Sequence, residues 1–390
     1  MKTLITSNKE RKYFIDWLRI ALILSVFFFH IGMIFNSWGW HVKSEEPVFF
    51  LEPIMSWLHL WRMPLLFLVS GVGTFYALGH RTSKQYIKER FLRIFIPFLI
   101  GIFTLVPVQV YIEKIDSYNS LGNFYLYMFD GIYPVGNFSW HHLWFLIYLF
   151  FIAVIISPFL NYLKSNNFQN VKNWMIQKTS TRLGLNWVLP ILIASQWILR
   201  QYFPDNTHAL LNDWAYFTYY FIFFLCGFVL FTSDKVINAL ASQRHMYLIQ
   251  TFVFTVVMFS FWVFEINFAG QDYIYGITEI IIAWSCGLSA IGYFKVHFNK
   301  DNKYRKHLNV AIYPFYLLHQ PVIVVVGYLV LKLQIPTIAA AVLITLLSLS
   351  VIVGLYWIID KINFLRIIFG LKKIPGHKSL FIKGKLQRAA

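Results

Sequence analysis

The feature that most constrains this chain is a series of ten apolar runs, each long enough to cross a membrane. A hydrocarbon core about 30 Å thick needs roughly 20 apolar residues in a helix. Hydrophobic residues make up 58% of the 390 residues and charged residues only 13%, too few to cover a soluble core. The runs occupy residues 13–37, 53–79, 91–112, 142–163, 185–203, 215–232, 246–268, 273–294, 308–330 and 335–359.

These runs predict an all-α fold, a polytopic integral membrane helix bundle of about ten transmembrane helices. We expect one transmembrane domain over residues 1–390, with a basic cytoplasmic tail at 360–390. The first run is too long for a signal-peptide core and no cleavage signature follows it, so we expect it to remain as the first helix. Prolines interrupt several runs, and membranes tolerate such breaks where other donors satisfy the freed backbone groups. They are Pro64, Pro97, Pro107, Pro158, Pro314 and Pro321.

Lysine and arginine are distributed very unequally between the two sides of the predicted bundle. Of the 34 basic residues, 29 lie in segments on the side of the N-terminus, and four lie on the opposite side. With the acidic residues counted, the two sides carry +23 and −6. The positive-inside rule therefore predicts that both termini are cytoplasmic. Topology accounts for most of the net charge of +17, and no nucleic-acid partner is predicted.

The first predicted helix contains ionisable residues that are costly in a membrane and are therefore functional candidates. Asp16 and Arg19 lie near its cytoplasmic end, and His30 follows eleven residues after Arg19. At about 100° per residue, eleven residues return to the same face of a helix. They separate Arg19 from His30 by about 16 Å along the axis. His30 is thus predicted in the outer half of the membrane, either as a functional group or hydrogen-bonded to a neighbouring helix.

Other predicted helices bring further ionisable residues to the same outer half. Arg62 and His59 lie in the second helix, Glu279 in the eighth, His319 in the ninth, and His142 opens the fourth beside His141. A histidine in such surroundings can act as a general base. Alternatively, Arg62 and Glu279 neutralise each other and serve structure alone.

A second group of basic residues lies at the predicted cytoplasmic edge of the bundle. Arg90 and Arg93 are neighbours on the predicted first turn of the third helix, and with Arg19 they form a basic cluster. Such a cluster is typical of a positive-inside flank that binds anionic lipid. The alternative is a clamp for phosphate groups, which the guanidinium fork contacts in pairs.

The long external segment 113–141 is rich in glycine, asparagine and aromatic residues. It is compatible with an ordered lid or sugar-stacking surface, or else with an interfacial aromatic belt. Cys226 and Cys286 lie within predicted spans, so packing is the expected role of both. No metal site is predicted, because His141 and His142 lack a partner motif.

Five segments in this order resemble the acyltransferase-3 family of membrane O-acyltransferases across essentially the whole chain. They are the Arg19–His30 spacing, RMPLLFLVSG in the second helix, ERFLRIFIP, HHLWFLIYLF and IYPFYLLHQP. The second and fourth segments are most similar to the glucan-modifying branch of the family. Ser70 and Gly71 match the family's Ser-Gly pair, whereas Val72 and Gly73 stand where many members have an aromatic residue.

The resemblance implies a bacterial inner-membrane enzyme that transfers an acyl group from cytoplasmic acyl-CoA to a hydroxyl of a cell-envelope carbohydrate. The acyl group implied is acetyl or succinyl, without a metal. His30 would be the general base or would carry the acyl group, and Arg62 or His319 would hold the oxyanion or orient the acceptor. Asp16 would orient an arginine.

The resemblance also implies binding residues for both substrates. Arg90 and Arg93, helped by Arg19, would hold the CoA phosphates at the inner surface. The candidates for binding the acceptor are His142, Glu279 and Ser70.

Two other classes of protein remain open from the sequence. A transporter of a carbohydrate or small molecule can use the same polar layer, although inverted repeats are not apparent. A scaffolding subunit would have no need of the charged interior. The sequence does not decide whether the protein is a homodimer.

Overall fold

The computed structural model describes residues 12–78, 81–163, 165–264 and 268–374. Helix makes up 77% of the structure, and these residues contain no strand. The prediction of an all-helical polytopic membrane protein is confirmed at this level. The helices, numbered in chain order, are α1 Tyr13–Phe35, α2 Leu51–Leu78, α3 Ser83–Glu113, α4 Leu121–Leu126, α5 His141–Leu163, α6 Asn166–Thr179, α7 Gly184–Leu199, α8 Trp214–Val229, α9 Asp234–Val263, α10 Gln271–His297, α11 Lys303–Leu331, α12 Thr337–Lys361 and α13 Asn363–Ile368.

Eight of the helices are long and apolar enough to cross a membrane, and two apolar helices are shorter, among the described residues. The two shorter ones, α7 and α8, coincide with the fifth and sixth predicted runs. The count of ten spans and the cytoplasmic termini therefore stay predictions. The basic tail beyond residue 374 lies outside the described residues.

Helix α3 begins eight residues before the run that predicted it. Thr82 and Gln85 form a reciprocal capping box: the Thr82 N–H donates to Gln85 Oε1 (3.0 Å), and the Gln85 N–H donates to Thr82 Oγ1 (3.3 Å). This pair satisfies backbone groups at the start of a helix. Arg90 and Arg93 consequently lie inside α3, and their predicted place on its first turn was wrong.

Helix α9 likewise begins earlier than predicted. Residues 233–245, predicted as a cytoplasmic loop, form its first turns after Ser233. The carboxylate of Asp234 in the first turn is favourable at the positive end of the helix dipole. Hydropathy reports only the part of a helix in the bilayer, so the polar extension was missed.

The described structure divides into two compact units, each made of segments distant in the chain. The first comprises Met1–Val26, Glu52–Tyr86 and Ile152–Lys306, and the second comprises Phe27–Leu51, Ile87–Phe151 and His307–Ala390.

In the first unit, α2 and α8 cross at glycines. A Cβ on Gly71 would lie 2.0 Å from the Phe224 oxygen, and one on Gly227 would lie 1.9 Å from the Leu68 oxygen. Small residues allow this approach of backbones, which is typical of helix packing in membranes. The crossing fixes the part of α2 that carries Ser70.

In the second unit, Pro97 frees a backbone carbonyl within α3. Proline has no N–H, so it cannot donate to the oxygen of Arg93 four residues earlier. The Tyr313 hydroxyl donates to that oxygen instead, at 2.8 Å. Gly370 packs against both: its φ is +72°, and a Cβ there would lie 2.8 Å from the Arg93 oxygen. The turn that carries Arg93 is thus held from two sides.

Pro107 acts in the same way further along α3. The oxygen of Phe103 lacks its helical donor and accepts a hydrogen bond from the Tyr125 hydroxyl, at 2.9 Å. Phe129 packs edge-on against Phe103, with ring centroids 6.3 Å apart. The external segment is therefore ordered along α3, which confirms neither a sugar-binding surface nor an aromatic belt.

Candidate active site

Five histidines of the second unit lie in one continuous polar group. His30 comes from α1, His41 from the loop after it, His141 and His142 from the start of α5, and His319 from α11. The rings of His30 and His142 lie 4.9 and 5.1 Å from that of His319, between centroids. The structure thus brings together His30, His142 and His319, which the sequence singled out.

Pro321 helps to place His142. Proline cannot donate to the oxygen of Leu317 four residues earlier in α11. Nε2 of His142 lies 3.1 Å from that oxygen and donates to it. The Tyr316 hydroxyl in turn donates to the backbone oxygen of His142. The start of α5 is therefore fastened to the proline-broken turn of α11.

The hydrogen positions on His319 and His30 follow from their partners. Nδ1 of His319 lies against the backbone oxygen of Tyr316, which only accepts, so Nδ1 carries the hydrogen. In the neutral ring, Nε2 of His319 then accepts from Nδ1 of His30, at 3.0 Å. Neutral His30 therefore carries its lone pair on Nε2. This assignment rests on the hydrogen-bond geometry.

The loop after α1 is held by Lys43. Its ammonium donates to the oxygen of Met33 (2.6 Å) and to Oδ1 of Asn36 (2.9 Å) at the end of α1. A cation is favourable at this negative end of a helix. Trp40 in the loop stacks on His30, with centroids 6.0 Å apart and planes at 16°. The loop thus places an aromatic ring beside His30, the candidate general base.

A carboxylate and a tyrosine support His41. Nδ1 of His41 pairs with Glu113, whose other oxygen accepts from the Tyr133 hydroxyl at 3.0 Å. Nε2 of His41 accepts from the Gln320 amide at 3.2 Å. Burial and the adjacent negative charge of Glu113 raise the pKa of Tyr133 above its ordinary value, so it remains a donor. His41 is thereby linked to the residue next to His319.

His141 occupies a strained position between these groups. Its φ of +38° lies in the left-handed region, which costs a residue other than glycine about 1–3 kcal/mol. Its ring meets those of His41 and Tyr133 edge-on, with centroids 4.5 and 4.7 Å away. Strain of this kind persists where surrounding contacts determine the conformation.

Arg62 belongs to a polar group within the first unit. The buried guanidinium donates to Nδ1 of His59, at 3.4 Å, so neutral His59 carries its hydrogen on Nε2. Burial and the positive charge of Arg62 lower the pKa of His208, in the loop before α8, to about 4. Arg62 is therefore surrounded by neutral imidazoles.

Glu279 in the same unit lies near a cation that the sequence analysis did not single out. Arg200 acts electrostatically on its carboxylate. The Arg200 side chain bonds to Gln196 at 3.1 Å and lies over the ring of Tyr216 at 4.5 Å. The alternative in which Arg62 and Glu279 neutralise each other stays a prediction, and Arg200 at the end of α7 is a second cation near this carboxylate.

Asp16 orients an arginine, as expected, but chiefly one that the sequence analysis did not single out. Its carboxylate pairs with fully buried Arg305 at the start of α11, and more distantly with Arg19, at 3.9 Å. Arg305 also pairs with Asp301 at 2.6 Å. Its hydrogen bond lowers the pKa of Asp301 below the ordinary value. A buried guanidinium with two carboxylates satisfies the requirement that buried charges be paired.

The chain is similar to known proteins over most of its length. A family model described as an acyltransferase domain, acyltransferase-3, matches residues 12–357. The chain belongs to the acyltransferase-3 family. The prediction of an acyltransferase is therefore confirmed at the level of the family, and the prediction of an integral membrane protein agrees with the apolar helices.

Curated relatives of this acyltransferase-3 protein share part of its length. Glucans biosynthesis protein C from Escherichia coli strain SMS-3-5 / SECEC is 27% identical over 235 residues, as is the protein of that name from strain O1:K1 / APEC. Each alignment covers 57% of this chain and 58% of the relative. The chain thus spans less than two thirds of these relatives. No solved structure matches it.

The acyltransferase-3 chain holds its candidate residues in different places. Arg62, Ser70, Glu279 and Arg19 belong to the first unit, where Ser70 is half-buried beside the glycine crossing. The second unit holds Arg90 and Arg93, and Arg93 pairs with Glu89 at 3.4 Å. Among the described residues, no group of three or more His, Cys, Asp or Glu side chains is placed to hold a metal ion.

Sequence reasoning missed several members of the acyltransferase-3 polar groups. His41, Glu113 and Tyr133 were not singled out, because polar residues outside or at the ends of apolar runs are ordinary. Gln320 was not singled out although it lies within the run 308–330. Proximity to Trp40 in a short external loop was the available signal for His41. Arg305 was counted as a cytoplasmic flanking charge.

Proposed function

We propose that this chain is a membrane O-acyltransferase that moves an acyl group from cytoplasmic acyl-CoA to a hydroxyl of a cell-envelope carbohydrate. The observation that carries the proposal is the hydrogen bond between His30 and His319. It puts a lone pair on Nε2 of His30, inside an apolar helix. An imidazole is the side chain best suited to take and return a proton near neutral pH.

In the direct route, His30 acts as the general base. Its Nε2 takes the proton of the acceptor hydroxyl as the oxygen attacks the thioester carbonyl. The carbon–sulfur bond then breaks, and the proton on His30 returns to the leaving CoA thiolate. The imidazolium formed in between donates through Nδ1 to Nε2 of His319, which stabilises its charge.

The same lone pair supports a second route, in which Nε2 of His30 attacks the thioester first. The carbon–sulfur bond breaks and CoA leaves as the thiolate, while the acyl-imidazolium keeps its hydrogen on Nδ1, shared with His319. The acceptor hydroxyl then attacks the acyl carbon, the bond to Nε2 breaks, and the hydroxyl proton passes to the thiolate, which restores neutral His30. Mass spectrometry of the protein mixed with acyl-CoA alone separates the routes. An acyl mass on the peptide containing His30 indicates the covalent route, and its absence in a rapidly quenched sample indicates direct transfer.

The donor is proposed to be acetyl-CoA or succinyl-CoA, held by Arg90 and Arg93 with Arg19. The support is their motif and the fastening of the Arg93 turn by Tyr313, which holds the backbone that carries this arginine. A guanidinium suits paired contacts with phosphate oxygens. Arg19 is oriented by Asp16.

The acceptor is proposed to be a carbohydrate, and the names of the curated relatives favour a glucan. Arg62 keeps its proposed role at the oxyanion or acceptor on the strength of the motif RMPLLFLVSG. Glu279, Ser70 and His142 remain proposed contacts of the acceptor. A bacterial inner membrane is the proposed location, since acyl-CoA is cytoplasmic and the acceptor lies outside.

The test is acyl transfer by purified protein in lipid vesicles, with acetyl-CoA or succinyl-CoA and a glucan oligosaccharide. His30→Ala should lower the turnover at least about 100-fold, because general-base catalysis contributes roughly that much or more. His307→Ala, at an exposed position of α11, is the control and should retain turnover. Full transfer by folded His30→Ala protein would refute the role of His30.

Transport remains the competing function, and the same vesicles test it. Carbohydrate counterflow in the absence of any acyl-CoA consumption would contradict acyl transfer. Acceptor-dependent release of CoA thiol without counterflow would support it.

A further inference from the structure

Two consecutive carbonyls of α11 fix the protonation pattern of two histidines. The oxygen of Tyr316 holds the hydrogen of His319 on Nδ1, and the oxygen of Leu317 holds that of His142 on Nε2. Both carbonyls lie in the turn before Pro321. A neutral imidazole with one nitrogen donating must carry its lone pair on the other. His142 therefore has its lone pair on Nδ1, as His30 has its own on Nε2.

Nδ1 of His142 is a buried acceptor with no hydrogen-bond partner among the described residues. The whole residue is only 6% exposed. Buried polar atoms in proteins are nearly always hydrogen-bonded, so an exception calls for an explanation such as a catalytic role or a bound molecule that supplies the partner. His142 is also anchored at its other nitrogen, so its ring cannot simply turn to solvent.

The chemistry of this nitrogen restricts what can bind it. A neutral imidazole lone pair accepts a hydrogen bond from O–H or N–H, and it repels a carboxylate or phosphate oxygen. A charged partner would also have to be buried without a counter-ion, which is strongly unfavourable. Hydroxyl and amide N–H groups are the neutral donors that fit, and a carbohydrate acceptor offers hydroxyls.

The rings of His30 and His142 both lie next to the ring of His319. The centroids of His30 and His142 are 4.9 and 5.1 Å from that of His319, so they are at most about 10 Å from each other. A single sugar-sized molecule can offer hydroxyls to both. Trp40, stacked on His30, adds an aromatic surface of the kind on which sugar rings pack.

We propose that His142 binds a second hydroxyl of the acceptor through Nδ1 while His30 activates the first, so that the site takes a neutral polyol. This proposal rests on the proposed function, because it assigns a specificity role within the same site. One hydroxyl is acylated and keeps no proton, and the other only donates a hydrogen bond. A simple alcohol or an acidic sugar at the second position would lose this contact.

Two substitutions of His142 test its two ring nitrogens one at a time. In His142→Gln, the side-chain amide reaches the position of Nε2 and can still donate to Leu317, but nothing accepts at Nδ1. In His142→Asn, the amide stands at the position of Nδ1 and can accept, but it no longer reaches Leu317. The first removes the proposed contact and keeps the anchor, and the second does the reverse.

The measurement is stabilisation of the purified protein against thermal unfolding by methyl β-D-glucopyranoside and its four monodeoxy analogues, without acyl donor. We expect the glucoside to stabilise the unsubstituted protein and one analogue to bind roughly tenfold more weakly, as for loss of one hydrogen bond. His142→Gln should bind the glucoside roughly tenfold more weakly and no longer distinguish that analogue. His142→Asn should still distinguish it.

Three results would overturn the proposal. They are no stabilisation by the glucoside, equal discrimination by the unsubstituted protein and His142→Gln, or a weakening by His142→Gln that is unrelated to any single hydroxyl. The last two would mean that only water meets Nδ1. Binding with the expected coupling but no acyl transfer would refute the proposed function and leave this inference intact.

Discussion

Substitutions of His319 test the hydrogen bond between His30 and His319 most directly, because the two nitrogens of His319 have different partners. It is fully buried, and its Nε2 accepts from Nδ1 of His30 at 3.0 Å. Replacing it by Ala removes that acceptor, whereas His319→Gln places an amide oxygen near the position of Nε2. The glutamine can hold the hydrogen on Nδ1 of His30, but it cannot take up a proton.

The expected magnitudes follow from one hydrogen bond. A buried N–H left without an acceptor costs about 1–3 kcal/mol. His30 can avoid that cost by moving its hydrogen to Nε2, which removes the lone pair needed for catalysis. We therefore expect His319→Ala to lower kcat about 10- to 100-fold, a tenfold change being about 1.4 kcal/mol. His319→Gln should stay within about tenfold of the unsubstituted enzyme, by the same reasoning.

The assay is release of CoA thiol from acetyl-CoA or succinyl-CoA, dependent on added glucan oligosaccharide, by protein in vesicles. Thermal unfolding checks the fold, since truncation of a buried side chain costs about 2–4 kcal/mol. KM for the acyl donor should stay unchanged in both variants. If folded His319→Gln were as slow as His319→Ala, an acceptor at this position would not suffice, and the tautomer argument would be refuted.

Two further predictions concern stability. Gly227→Ala should destabilise the protein by about 1–3 kcal/mol, because a Cβ there would lie 1.9 Å from the backbone oxygen of Leu68. Gly276→Ala, with nothing within 4 Å, should leave the thermal midpoint nearly unchanged, and equal effects would contradict the glycine crossing. Because Arg305 lowers the pKa of Asp301, this carboxylate should stabilise the fold above its unfolded pKa of about 3.9, and the contribution should fade as pH falls through the lower folded pKa. Asp301→Asn should remove that acid dependence from thermal midpoints measured between about pH 5 and 2, and an unchanged profile would argue against it.

Much of the fold follows from hydropathy. A helix that crosses a bilayer must be apolar over about 20 residues, and few other segments of a protein are apolar over that length. The predicted run 308–330 corresponds to Lys303–Leu331, and 142–163 corresponds to His141–Leu163. The polar ends of helices are indicated by capping residues rather than by hydropathy. The capping residues Thr82 and Gln85 were visible in the sequence, but hydropathy does not weigh them.

Residues of the candidate site were predictable from the sequence only where an ionisable residue lies within an apolar run. His30 and His319 stood out as ionisable residues within apolar runs, and their direct contact agrees with that reasoning. Glu113 and His41 are 72 positions apart and lie at the ends of runs, where charge is common. No spacing rule links such residues, because their pairing depends on how loops and helices pack in three dimensions.

The prolines connect the fold to the site. In a membrane a freed carbonyl needs a donor, and hydroxyls of Tyr313 and Tyr125 serve two of the proline-broken turns. Before Pro321 the donor is instead His142, which bonds to Leu317. A tyrosine in that role would satisfy the backbone equally well and leave no lone pair of comparable basicity behind. A histidine satisfies the same carbonyl and is left with a neutral acceptor beside the proposed catalytic pair of His30 and His319, so the break in α11 also sets the chemistry of the candidate site.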